Sequence, residues 1–155
     1  MRFDDIDVRI LGLLQDNGRM TNVELAERVG LTAPPCLRRV RALEQQGAIG
    51  GYHAALDPTA LGYNLTVFAM VSLKSQAESD LQAFEKLVSE IPEVRECHML
   101  NGEIDFILKI VAHDLQSFQV FLTSKLTPAP NVASVKTSLT IRTSKVSCGI
   151  PVDPD

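Results

Sequence analysis

Cysteine is scarce in this chain, and its placement excludes two classes of site. The three cysteines, Cys36, Cys97 and Cys148, are odd in number and far apart, with no Cys-x-x-Cys pair and no histidine at ligand spacing. This pattern argues against a disulfide framework and gives no signal of a zinc site. We therefore expect reduced thiols in a cytoplasmic protein, with no metal and no cofactor.

Positive charge is also in short supply. The chain has 15 lysines and arginines against 19 aspartates and glutamates, which gives a net charge of -4 and an isoelectric point near 5.4. Proteins that bind nucleic acid usually carry a basic footprint that displaces counterions from phosphates. Binding to DNA would therefore require a local basic patch.

Long apolar runs are missing too, and Met1–Asp5 places acid where a signal peptide needs basic and apolar residues. We expect a protein that is neither exported nor inserted in a membrane. The rest of the composition is typical of a folded chain, since 45% of its 155 residues are hydrophobic and 22% are charged. Two compact modules of modest size are the natural expectation.

Capping and breaking residues predict helices in the first third of the chain. Asp4-Asp5 can cap a first helix, whose apolar residues recur at helical spacing until Asn17-Gly18. Thr21 and Glu24 form a capping box for a second, short helix, which closes at Gly30. Two helices of different length are therefore expected before residue 31.

A third helix follows the turn at Gly30. Thr32 can cap it, and it should run to about Gln46, because Gly47 breaks the pattern. A short helix, a glycine turn and a longer helix make up a helix-turn-helix, and Ala48–His53 is typical of a turn or short hairpin that forms a wing. We assign residues 1–53 to a winged helix-turn-helix DNA-binding domain.

From residue 66 the pattern changes to β-α-β-β-α-β, the ferredoxin-like arrangement. Helices in this fold cover one face of an antiparallel sheet, yet Phe68 lies on a face as apolar as that of Val67, so the uncovered face should meet another subunit. We predict an α+β protein in which residues 54–65 link the first domain to a sensing and oligomerisation domain at 66–155. The expected elements are strand 66–73, helix 79–90, strand 94–100, strand 104–112, helix 115–126 and strand 132–141.

The third predicted helix has an apolar stripe and an opposite polar one. At about 100° per residue, Cys36, Val40 and Leu43 fall together on the apolar side. Arginine and glutamine on the other side suit guanine and adenine edges or phosphates. The alternative is a solvated helix face stabilised by Glu44 and Gln45. The residues predicted to contact DNA are Thr32, Pro34, Arg38, Arg39, Arg41 and Gln45.

Arg39 falls at the border of the apolar stripe, and two roles stay open for it. Its guanidinium can clamp a phosphate or can pair with an acid of the first helix such as Asp7. Cys36 lies on the apolar stripe itself, so we expect a small core residue there rather than a redox sensor.

The segment Asn101–Asp105 lies between the second and third predicted strands. Asn-Gly between strands is typical of a two-residue hairpin, but this does not explain why Glu103 and Asp105 follow directly. An amino acid needs an acceptor for its ammonium and donors for its carboxylate, and a glycine turn beside carboxylates supplies both. The predicted effector-binding residues are Asn101, Gly102, Glu103 and Asp105, with Thr137 and Ser138 of the last strand, which are also ordinary β residues.

Several stretches, in order along nearly the whole chain, match one known family: Asp4–Leu11, Gly18–Thr21, Leu25–Thr32, Pro35–Glu44, Gly47–Ile49 and Tyr52. Together they resemble the Lrp/AsnC family, the leucine-responsive or feast/famine regulators. The resemblance implies a winged helix-turn-helix followed by a ferredoxin-like effector module, dimers formed through that module, and often a ring of four dimers around which DNA wraps. It also implies an amino acid bound between dimers. In the family's glycine-acid-aromatic-acid loop, Gly102–Asp105 carries glutamate for the usual aspartate and isoleucine for the aromatic residue.

We therefore expect a sequence-specific transcriptional regulator of the cytoplasm, associated with the nucleoid, and not an enzyme. Its expected partners are double-stranded DNA, a small-molecule effector that is an amino acid, and further copies of itself, as a homodimer that assembles to an octamer. One alternative is an architectural protein that wraps DNA without an effector. Another is an enzyme similar to the sirohaem decarboxylases, for which His53, His98 and His113 would be the residues to inspect.

Overall fold

The computed structural model describes residues 3–152, which divide into two compact units. Within the described residues, the first unit contains 3–55 together with 144–152, and the second contains Leu56–Thr143. None of the helices in the described part of the chain has the length and apolarity that crossing a membrane requires.

The first unit contains three helices, α1 (Asp5–Asp16), α2 (Asn22–Val29) and α3 (Ala33–Gln45). The predicted caps are present: Asp4 accepts a hydrogen bond from the backbone N–H of Asp7, and Thr21 and Glu24 form a reciprocal capping box. Thr32 occupies the N-cap of α3, but its side chain makes no capping hydrogen bond.

Gly30 ends α2 in the left-handed conformation with φ of 74°. This conformation favours glycine because a Cβ would be strained there. The turn that follows sends α3 back across α1 and α2, and the three apolar faces enclose a small core. The buried residues of this core are Ile10, Leu14, Leu25, Ala26, Val29, Cys36 and Leu43.

The wing region contains a bend but no strand in the described residues. The backbone N–H groups of Ala48 and Ile49 both donate to the carbonyl of Leu43. Farther along, the Tyr52 hydroxyl donates to Glu44 Oε1 at 2.9 Å. Neither the hairpin nor a turn lies within the described segment itself: it contains a bend at Ala48-Ile49, and the turn precedes it at Gln46-Gly47.

The second unit is a four-stranded antiparallel sheet with helices, as the β-α-β-β-α-β pattern predicted. The strands lie in the order β2-β3-β1-β4, so that the first and third strands are central. Their helix-covered faces form the larger core, with Val67, Phe106, Leu108 and Ile110 fully buried. The elements are β1 (Leu65–Leu73), α4 (Glu78–Ser89), β2 (Val94–Met99), β3 (Phe106–Ala112), α5 (Leu115–Phe121), a π-helical turn (Leu122–Leu126) and β4 (Val132–Leu139).

The opposite face of this sheet is not covered by the helices of its own unit. Phe68 on β1 is 37% exposed there, and Met70 beside it is half-buried. Lys109 and Glu96 form an ion pair on the same face with Nζ and Oε1 2.8 Å apart. The open face therefore has an apolar centre with charged groups on both sides, since Lys136 of β4 is exposed and lies opposite Met70.

Two strand boundaries differ from the predicted ones by two residues, and two others, the start of β1 and the end of β2, differ by one. The third strand begins at Phe106 rather than at residue 104, and here the carboxylate of Asp105, rather than a backbone carbonyl, accepts the hydrogen bond of Leu73 N at 2.6 Å. The last strand ends at Leu139 rather than at residue 141.

Candidate functional site

The outward face of α3 is formed by the residues that sequence reasoning placed there. Pro34, Arg38, Arg41 and Gln45 are all exposed, as is Thr32 at the N-cap. On the opposite side Cys36 and Leu43 are buried in the core of the first unit. Successive positions on this face lie within about 60° of one another, so the side chains project in one direction.

Arg38 and Arg41 make no hydrogen bond or ion pair with any residue in the described range 3–152. The nearby acid Glu44 accepts the Tyr52 hydroxyl instead, and burial followed by this hydrogen bond raises the pKa of Tyr52 to about 12. The guanidinium groups are therefore not neutralised by their neighbours on the helix. In a chain of net charge -4 they form a local basic patch.

Arg39 is held differently, although it lies between the other two arginines. Its Nη1 lies 2.8 Å from Asp4 Oδ2 and 2.7 Å from Asp7 Oδ1, so it ties α3 to the start of α1. The hydrogen bond to Asp7, followed by the one to Asp4, raises the pKa of the guanidinium. Of the two roles left open for Arg39, the structure shows the pair with Asp7.

Cys36 has no exposed surface, and burial raises the pKa of its thiol. A neutral, buried thiol is a weak nucleophile and packs as a small apolar group. The expectation of a core residue at this position is confirmed.

The candidate effector loop, Leu100–Asp105, connects β2 to β3 and is longer than a two-residue hairpin. Leu100 N donates to Asp105 O at 2.8 Å and closes its base. A type I′ turn needs positive φ at both central residues, and neither Asn101 nor Gly102 is among the positive-φ residues of the described chain. The tight-hairpin reading of Asn-Gly is therefore wrong, and Asn101, Gly102 and Glu103 stand exposed at the loop tip.

Asp105 is half-buried and serves the fold of the second unit. Its Oδ2 accepts hydrogen bonds from Leu73 N and, at 3.4 Å, from Gln76 Nε2, while its own N–H donates to Val71 O. This carboxylate thus fastens the loop to the end of β1. Of the two carboxylates predicted here, that of Glu103 is at the exposed tip and that of Asp105 is engaged at the base.

Two further polar residues at this end of the sheet were missed by sequence reasoning. Gln76 bonds both Leu73 O and Asp105, and Asn131 exchanges two side-chain hydrogen bonds with the backbone of Ser75. Asn131 has φ of 67°, a conformation that asparagine tolerates better than most residues. The Pro-Asn pair before β4 is typical of a turn, and it was the one sequence feature that could have indicated this conformation.

Thr137 and Ser138 project from opposite faces of the sheet, as neighbours on a strand must. Thr137 lies opposite Ala69 on the helix-covered side and is half-buried, whereas Ser138 lies opposite Phe68 on the open side and is exposed. The base of the effector loop is bonded to Leu73, which follows Ala69 by four residues, or about 13 Å along the strand. Within one chain the structure does not bring this pair to the effector loop.

The three histidines do not converge on one site. His53 belongs to the first unit, and His98 on β2 lies 3.3 Å from Glu96 Oε2. His113 follows β3, where its Nδ1 lies 2.8 Å from Gly62 O and its ring stacks on Tyr63. Among residues 3–152 no three His, Cys, Asp or Glu side chains are grouped to hold a metal ion.

Comparison with known sequences matches both units to described families. Residues 3–49 match the winged helix-turn-helix DNA-binding family, and residues 66–150 match the Lrp/AsnC ligand-binding domain. The chain is 53% identical to a leucine-responsive regulatory protein of Rhizobium meliloti over 98% of this chain and 97% of that protein. It is 39% identical to the Bkd operon transcriptional regulator of Pseudomonas aeruginosa over 96% and 97% of the two chains.

Solved structures agree with these matches. A transcriptional regulator of Neisseria meningitidis in complex with L-Met superposes with a TM-score of 0.93 at 36% identity, covering 98% of both chains. An AsnC family transcriptional regulator of Agrobacterium tumefaciens gives a TM-score of 0.90 at 30% identity over 96% of this chain and 97% of that one. The α+β architecture with an N-terminal winged helix-turn-helix is thus shared along the chain, and the protein belongs to the Lrp/AsnC family of DNA-binding transcriptional regulators with a ligand-binding domain.

Proposed function

We propose that α3 enters the DNA major groove and that Arg38 and Arg41 read base edges there. The observation that carries this assignment is that both side chains are exposed on one helix face and free of partners in the described residues. Arginine forms bidentate hydrogen bonds with guanine, and each such contact discriminates against a wrong base by about 1–3 kcal/mol. Gln45 on the same face suits adenine, and Thr32 and Pro34 lie at the end of the helix that enters the groove first.

Arg39 takes a positioning role in this proposal and does not contact DNA. Its bonds to Asp4 and Asp7 fix the angle between α3 and α1, and so fix the direction in which the free arginines point. A guanidinium that already has two carboxylate partners has little positive field left for a phosphate.

The open sheet face of the second unit supports a dimer. Phe68 and its apolar neighbours would be covered by the same face of a second copy, which is the self-complementary arrangement of a two-fold interface. A dimer presents two recognition helices about one helical turn of DNA apart. We extend this to an octamer of four dimers, which is the assembly that the family resemblance implies.

We assign the effector site to the tip of the Leu100–Asp105 loop and an amino acid as its ligand. The similar regulator of Neisseria meningitidis was crystallised with L-Met, which supports this ligand class. Glu103 is exposed and can accept an ammonium, and the backbone at Asn101 and Gly102 is open to a carboxylate. Since Thr137 and Ser138 lie away from this loop in their own chain, a contribution from them would have to come from another copy.

This function requires no catalysis and places the protein in the cytoplasm on the nucleoid. The relatives reported above are a leucine-responsive regulatory protein and a Bkd operon transcriptional regulator, which supports regulation rather than a chemical reaction. The architectural alternative predicts no effector at all. A rise in melting temperature with any amino acid at millimolar concentration would decide against it, because a ligand of the folded state stabilises that state by mass action.

The DNA interface is tested by titrating a fluorescent operator duplex with the full-length variants Arg38→Ala and Arg41→Ala. Each should weaken binding by about 1–3 kcal/mol without lowering the melting temperature. Arg95→Ala, which removes an exposed arginine of the second unit, is the matched control and should leave binding unchanged. Wild-type affinity in both α3 variants would remove these residues from the interface.

A further inference from the structure

The C-terminal segment Ser144–Val152 is part of the first unit, although it follows β4 of the second unit in the chain. It lies beside a groove whose other walls are Leu11, Leu14 and Gln15 of α1 and the wing segment Ala48–Tyr52. We call this the tail groove. A cavity of about 320 Å³ remains between the groove walls and the segment.

Gln15 holds the segment by two hydrogen bonds. Its Nε2 donates to Ile150 O at 2.7 Å, and Ile150 N donates to its Oε1 at 3.1 Å. A side-chain amide has one donor group and one acceptor, so it can pair with both polar groups of a single residue of an extended chain. This recognition is directed at the peptide backbone, and the side chain of Ile150 stays 71% exposed.

Gly149 makes this close approach possible. Its φ is 71°, a conformation that favours glycine, and a Cβ built on it would overlap the side chain of Gln15. Any other residue would place a Cβ against the Gln15 side chain, which would have to move away from Ile150, and most residues would also strain the backbone at this φ. The groove is therefore matched to a segment with glycine at this position.

Beyond Ile49, which bonds to Leu43 and packs against the core of the first unit, the wing has little other support. In the described chain, residues 50–55 make no backbone–backbone hydrogen bond, and the Tyr52–Glu44 bond is the only side-chain hydrogen bond they form. The segment and residues 48–52 line opposite sides of the same cavity, so a seated segment limits how far the wing can move into that space. Restricting a loop before it binds lowers the entropy that binding costs.

We propose that Ser144–Val152 is an exchangeable internal ligand of the tail groove, and that its seating raises the affinity of the protein for DNA by holding the wing. The occupant is the chain's own C-terminal segment, recognised through its backbone at Ile150 and its glycine at position 149. The effect on DNA affinity rests on the proposed DNA binding by the first unit, whereas the docking of the segment in the tail groove does not.

Both parts are tested on full-length chains with a fluorescent synthetic peptide of residues 144–152 and a labelled operator. Gly149→Val should expel the segment and leave the groove intact, so the peptide should bind this variant more tightly than the wild type. Its operator affinity should fall roughly 3- to 10-fold, the cost of ordering a few side chains, and saturating peptide should restore it. Gln15→Ala should lose peptide binding and show the same fall without rescue.

Gln82→Ala, which removes an exposed glutamine amide of α4, is the matched control and should behave as the wild type. Equal peptide binding by the wild type, Gly149→Val and Gln15→Ala would overturn the docking. Peptide binding in the expected order with unchanged operator affinity would overturn the link to DNA. The peptide titration needs no DNA, so failure of every protein to bind the operator would contradict the DNA interface and not the groove.

Discussion

The outward face of α3 and the loop between β2 and β3 use charge in the same way. On α3, Arg39 is committed to the fold through Asp4 and Asp7, while the arginines beside it have no partner in the described residues. In the loop, Asp105 is committed to Leu73 while Glu103 is exposed. In each region one charged residue fixes the geometry and a neighbour is left free for a ligand.

The two regions differ in how much of a site one chain supplies. The face of α3 is a continuous surface on a single helix, and every residue predicted for it lies there or at its border. The loop tip is small, and Thr137 and Ser138 lie on opposite faces of β4. One copy therefore suffices to present a DNA contact, whereas an effector site that includes these β4 residues needs a second copy.

The largest difference in stability between removing a hydrogen-bonded charge and removing an exposed one is expected in the Leu100–Asp105 loop. Asp105→Ala leaves the Leu73 N–H without its partner, which should lower the free energy of unfolding by about 1–3 kcal/mol. Glu103→Ala should change it by less than about 0.5 kcal/mol, since this side chain is exposed. Chemical denaturation of both variants measures the difference, and equal losses would contradict the division of roles.

A smaller effect is expected from the matching change on α3. Arg39→Met keeps the apolar stem and removes the pairs with Asp4 and Asp7, and should lower the free energy of unfolding by about 1 kcal/mol. Its operator affinity should fall less than that of Arg38→Ala, because a positioning residue acts only through its neighbours. A fall as large as that of Arg38→Ala with unchanged stability would make Arg39 a DNA contact.

The smallest expected effect is on the thermal stability of the protein at acidic pH. The hydrogen bond from Asp7 N, followed by the one from Arg39, lowers the pKa of the Asp4 carboxyl below its ordinary value of 3.8. Because the pKa of Asp4 is lower in the folded state than in the unfolded state, its carboxylate stabilises the fold fully above the unfolded-state pKa. This stabilisation is lost as the pH falls through the folded-state pKa. Melting temperatures between pH 5 and pH 3 should therefore fall less steeply in Asp4→Asn than in the wild type, and parallel slopes would contradict this.

Local signals predicted most of the secondary structure, and they failed where a distant partner intervened. Thr21, Glu24 and Gly30 act within one turn of backbone, so the capping box and the end of α2 were visible in the sequence. Asn101-Gly102 also gave a strong local signal, but Asp105 bonds to Leu73, 32 residues away, and the short hairpin does not form.

The C-terminal segment shows the same limit more strongly. Nothing in its composition indicated that Ile150 pairs with Gln15, which lies 135 positions earlier. The polar face of α3 was predictable because helical periodicity alone places residues around an axis. The position of the C-terminal segment was not predictable, because its sequence shows no alternation of apolar and polar residues that would indicate which surface it contacts.

The amino-acid order by itself determined the three helices of the first unit, the ferredoxin-like succession of strands and helices, and the basic stripe on α3, because each depends on spacing along the chain. Tertiary structure alone decided which charges are free. Arg39 and Arg38 are chemically identical neighbours, and only the approach of α1 brings carboxylates within 3 Å of one and not the other. Contacts between distant parts of the chain determine which arginine is paired, and a local sequence pattern does not predict such contacts.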